Sequence, residues 1–98
     1  MVIVTASIHV AADRLTEALA LSLEHVHRSR LEPGCVSHGV SQDVEDPNHV
    51  IFVERWADRA ALAVHFGIPE ARAFSRAIGA MAVEPAQMTL YDAEEFRP

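Results

Sequence analysis

Phe52, Glu54 and Trp56 alternate near the end of an apolar run, so a strand there places an aromatic ring, a carboxylate and the chain's lone indole on one face together with Val50. His65 and Phe66 follow on a helix-like stretch that folds back over that face, and His38 lies on the preceding extended run. A turn from Val44 to Asn48 sets His38 opposite Glu54. A carboxylate beside an imidazole raises the imidazole's pKa and fixes its tautomer, which makes an acid/base pair. An indole can stack on a flat ligand, and its N–H and an imidazole can both donate to a developing oxyanion. The candidate catalytic residues are therefore His65, Trp56, His38 and Glu54, the candidate substrate contacts are Phe52, Phe66 and Trp56, and Arg55 is a reserve cation if the register differs. Each also has a plainer reading: Trp56 as a core anchor, His65 as a satisfied helix histidine, His38 as a solvated strand residue, and Glu54 as the partner of an arginine.

The remaining histidines offer less. His25 and His27 are two apart on a helix and point to different sides, so they cannot clasp one metal, and His9 and His49 lack a visible carboxylate or cysteine at ligand spacing. No metal site is expected. Cys35 is the single cysteine; it follows Gly34 and reads as a packing residue in a reducing cytosol rather than as a nucleophile. No glycine-rich phosphate loop or nucleophile elbow is present.

A net charge of −6 over 98 residues argues against a nucleic-acid or anionic-membrane partner. The basic residues are all arginine, which excludes chemistry through a lysine Schiff base. The N-terminal apolar run has no basic flank and is soon broken by His9 and Asp13, so neither a signal peptide nor a membrane span fits.

The elements that must position these side chains follow from periodicity. Val2 to Val10 alternates as a first strand, and Asp13 is read as the cap of a helix carrying Leu15, Ala18, Leu19, Leu23 and Val26, stopped by Pro33-Gly34. Cys35 to Asp43 and His49 to Trp56 form a hairpin across Asp46-Pro47-Asn48. Asp58 caps a short helix ended by Gly67, Pro69 opens another that closes near Gly79, and the last strand lies within Met81 to Tyr91. The order β-α-β-β-α-β predicts a single α+β domain over residues 1–98, a ferredoxin-like four-stranded antiparallel sheet with helices on one face. Ile3, Ile51 and Val53 then stand on the other face, and a second copy packed sheet to sheet is the economical cover, predicting a homodimer.

Glu32-Pro33-Gly34-Cys35, Asp46-Pro47-Asn48, Phe52-Val53-Glu54-Arg55-Trp56 and Ala63-Val64-His65-Phe66 before Pro69 occur in one order along nearly the whole chain. In these the sequence resembles the antibiotic biosynthesis monooxygenase domain family. The resemblance implies a dimeric α+β barrel with a pocket between sheet and helices, Trp56 and His65 among its pocket residues. It also implies oxidation of a quinol or another small aromatic molecule by dioxygen with no cofactor, the substrate anion itself reducing dioxygen. Haem-degrading relatives carry an asparagine on the first strand where this chain reads Ala6-Ser7-Ile8, and polyketide-oxidising relatives carry one where it has Phe52. Two other functions suit the same residues: isomerisation of a small carbonyl compound by proton transfer, and non-catalytic binding of a hydrophobic metabolite by a dimer.

Overall fold

Alternation sorts the first strand cleanly. Val2, Val4 and Ile8 are buried while Thr5 is exposed, because only one face of the sheet carries helices. The computed structural model describes residues 1–98. Its elements are β1 (Val2–His9), a 3-10 turn (Ala12–Arg14), α1 (Leu15–Ser29), β2 (Cys35–Asp43), β3 (Asp46–Trp56), α2 (Arg59–Gly67), α3 (Pro69–Gly79) and β4 (Gln87–Asp92). The strands form one antiparallel sheet in the order β2-β3-β1-β4, which is the expected ferredoxin-like α+β arrangement.

The main core joins Ile8, Val10, Val50 and Phe52 of the sheet side to Ala18, Val26 and Ile78 of the helices. A smaller cluster gathers Val2, Val4, Trp56 and Leu62 beside it. On the opposite face Val53 is half exposed and Ile3 and Ile51 are partly buried.

Two local expectations change. Asp13 does not cap α1: it lies in the 3-10 turn, where the Arg14 amide bonds to the Ala11 carbonyl at 2.9 Å. That tightening moves the helix start to Leu15, which has no side-chain cap. The hairpin turn is Val44–Glu45 alone, and Asp46, Pro47 and Asn48 already belong to β3. The carboxylates of Asp43 and Asp46 accept from the amides of Glu45 and Asn48, so the acidic residues brace the hairpin end instead of forming a longer loop. His38 still pairs with Glu54 in the register.

The crossing from α1 to β2 is set by Gly34. Its φ of 84° is in the left-handed region, and a Cβ there would stand 2.4 Å from the Cβ of Ala61 on α2. This close approach brings the Glu32–Gly34 turn against α2. Gly34→Ala is expected to cost about 1–3 kcal/mol in stability, read from the denaturant midpoint; a change below about 0.5 kcal/mol would place it among ordinary surface substitutions.

Candidate active site

The helix α2 begins at a well-made cap, the Asp58 carboxylate accepting from the Ala61 amide at 2.8 Å. One turn of spacing then directs Leu62 and His65 to the buried side. His65 is 3% exposed, and its Nδ1 lies 2.9 and 3.1 Å from the two carboxylate oxygens of Glu32. A carboxylate only accepts, so Nδ1 carries the proton and Nε2 offers a lone pair. Trp56 packs against this imidazole at a centroid separation of 4.6 Å.

Beneath it lies the second polar group of the interior. Glu54 is 4% exposed and accepts from the Trp56 indole N–H at 2.9 Å. Nε2 of His38 approaches the same carboxylate oxygen to 3.3 Å, out of line for a hydrogen bond, and both His38 ring nitrogens are buried without a partner. Burial works to raise the Glu54 pKa, yet it is lowered on balance, because the His38 ring, the indole N–H and His65 together favour the carboxylate.

A cavity of about 230 Å3 opens between β1, β3, α1 and α3, comfortably above the roughly 150 Å3 that holds a benzene ring. Its walls are mostly apolar; Phe52, Phe66 and Phe74 supply aromatic surface, and His25, Glu54, His65 and Arg72 supply the titratable groups. The structure therefore brings His65, Glu54, Phe52 and Phe66 to one cavity. Trp56 and His38 stand behind it. The indole is fully enclosed and does not line the space, so its place is that of a core anchor whose N–H holds Glu54.

Two residues of the site are not marked by the sequence pattern. Glu32 stands out only within Glu32-Pro33-Gly34-Cys35, and nothing local ties it to a histidine 33 positions on. His25 cannot share a metal with His27, but it lies on the buried stripe of α1 with Ala18, Ser22 and Ser29; a histidine on that stripe is the signal that points to it. Its ring stacks on Phe74 at 4.0 Å and stands 5.3 and 5.4 Å from the rings of His38 and His65. The surface histidines also differ from expectation. His9 and His49 stack at 4.1 Å, and Asp43, Asp46 and Glu84 lie beside them, because β1 and β3 pair these two residues directly.

A nitrogen from each of His25, His38 and His65 lies within 4.8 Å of the other two, which is the number of ligands a catalytic zinc takes. The donor set falls one short. Nη2 of Arg28 stands 2.8 Å from Nδ1 of His25, and a guanidinium only donates, so that lone pair is occupied and the proton of the neutral ring sits on Nε2.

The comparisons agree with this architecture. Residues 1–77 match the family model described as antibiotic biosynthesis monooxygenase, and the chain belongs to that family. An uncharacterized protein of Synechocystis, sll1783, is 34% identical over 94 residues, which are 96% of this chain and 64% of that protein. A crystal structure of an antibiotic biosynthesis monooxygenase superposes with a TM-score of 0.90 at 30% identity, covering 97% of this chain and all of that one. A Deinococcus radiodurans protein bearing the same family name reaches a TM-score of 0.94 at 26% identity, covering 100% of this chain and 97% of its own.

The His25 pKa is lowered from 6.5 to about 3, first by burial and then by His38, His65 and Arg28. The unfolded chain thus binds a proton that the folded chain refuses between those values. His25 favours folding fully above pH 6.5, and this contribution is lost as pH falls towards about 3. The unfolding free energy from urea titrations across that window should fall with acid, by at most about 1.4 kcal/mol per pH unit for one proton. His25→Gln should flatten the slope, and an unchanged slope would contradict the assignment.

Proposed function

We propose that the protein is a monooxygenase that oxidises a quinol or another phenolic aromatic molecule with dioxygen, using neither metal nor flavin. The observation that carries this reading is the Glu32–His65 pair, which turns a basic Nε2 towards an apolar cavity of aromatic size. Deprotonating an electron-rich ring gives the anion that can itself reduce dioxygen, so a positioned base, a cavity poor in water and a place for negative charge suffice. The oxidation of a methylene flanked by aromatic rings balances without an outside reductant. The carbon becomes a carbonyl with one oxygen atom, and the other leaves with both hydrogens as water.

His65 is the base in this reading, Glu32 its positioning residue, and Phe52 and Phe66 the walls for the ring. His38 and Trp56 act through Glu54. A second reading, isomerisation of a small carbonyl compound, is favoured by the same base standing beside a second carboxylate, Glu54, in one cavity; it needs no dioxygen and would proceed anaerobically. The half-exposed Val53 face supports a homodimer formed sheet to sheet, and the free thiol of Cys35 suits the cytosol.

An oxygen electrode with a panel of hydroquinones and naphthols, chelator present, tests the activity. Uptake should exceed autoxidation and fall about 100-fold in His65→Ala, with a smaller loss in Glu32→Gln. Rates equal to autoxidation, or an unaffected His65→Ala, would reject it. Light scattering after size exclusion should give twice the monomer mass of 10.8 kDa; a monomer would leave the sheet face to solvent and overturn the dimer.

A further inference from the structure

We propose that His25 is a catalytic hydrogen-bond donor of this site: its Nε2–H, fixed by Arg28, holds the oxygen anion of an ionising aromatic hydroxyl whose proton passes to Nε2 of His65. This rests on the reading of the site as one that deprotonates a phenolic substrate. The step is a proton transfer alone. The O–H bond breaks, the electron pair stays on the oxygen, and the proton ends on His65.

The two imidazoles have opposite polarity for reasons visible in their partners. Nδ1 of His65 donates to Glu32, which leaves a lone pair at Nε2. Nδ1 of His25 accepts from Arg28 at 2.8 Å, which leaves a proton at Nε2. Neither Nε2 has a partner among the hydrogen bonds, and neither is among the polar atoms sealed inside the protein, so both open on the cavity that their residues line. The rings stand 5.4 Å apart, tilted by 48°, a spacing that lets one small molecule meet both.

The surroundings keep the His25 ring neutral and still. Arg28 faces it from its own helix, His38 from β2, Glu54 from β3 and His65 from α2, while α3 contributes Arg72 to the cavity and the Phe74 ring, stacked within 8° of parallel. Burial, with His38, His65 and the Arg28 guanidinium, disfavours the imidazolium more than Glu54 favours it. A neutral imidazole N–H is a very weak acid, so it can hold an oxyanion without returning a proton to it. Arg28 is then a positioning residue, required because it decides which nitrogen carries the hydrogen.

Nitrogen-15 NMR of the imidazoles in the intact protein tests the polarity without any substrate. His25 should show one tautomer, protonated at Nε2, from pH about 8 down to about 5, and Arg28→Met should mix the two tautomers. Para-nitrophenol, whose anion absorbs in the visible, tests the donor. Its anion should bind the wild type and lose about 100-fold in affinity in His25→Ala, with partial rescue in His25→Gln, whose amide can donate, and no change in the exposed His27→Ala. A proton on Nδ1 of His25, a charged ring at neutral pH, or nitrophenol binding no better to the wild type than to His25→Ala would overturn the proposal. So would zinc taking the place of the Nε2 proton, which would mark a metal ligand instead. The expected tautomer and anion binding without oxygen uptake would reject only the monooxygenase reading.

Discussion

The contact between the Glu32 carboxylate and Nδ1 of His65 joins residues 33 apart in a place where both are almost entirely withdrawn from water. Burying either group alone is costly, and together they satisfy one another. The rest of the site follows from that bond. It selects the tautomer of His65, aims Nε2 at the cavity, and ties the turn after α1 to the last turn of α2. The backbone is arranged to permit it, since only a residue without a side chain at Gly34 lets that turn lie against Ala61.

A second set of buried polar groups, Glu54 with Trp56 and His38, forms the floor behind the cavity. It makes little sense as a device for stability, because apolar side chains of similar volume would fill that space with no desolvation penalty. It makes sense as a source of fixed polarity under a ligand. The indole acts here through its N–H and its bulk. The two unpartnered nitrogens of His38 are the least satisfied part of the interior and mark where stability has been given up.

Much of this could be read along the chain. Alternation in β3 placed Phe52 and Glu54 on the helix-covered face, and the pairing of His38 with Glu54 followed from the hairpin even though its turn is shorter than the spacing suggested. The family resemblance led to the fold and to the region of the pocket. What could not be read were the long-range partners. Nothing near Glu32 shows that the turn after α1 will meet α2, and the value of His25 depends on an arginine one helical turn on and on a phenylalanine from α3. Periodicity reports which face a residue is on, whereas a tautomer is decided by whichever neighbour the tertiary fold supplies.

The dependence of the site on Glu32 and His65 acting as one unit is most directly measured by a double-mutant cycle on folding stability, with Glu32→Gln, His65→Gln and the pair together. Groups joined by a buried charge-assisted hydrogen bond should couple by at least about 1 kcal/mol, the double variant losing less than the sum of the single losses. Single losses that simply add would show that the two side chains do not depend on each other, and would contradict the account.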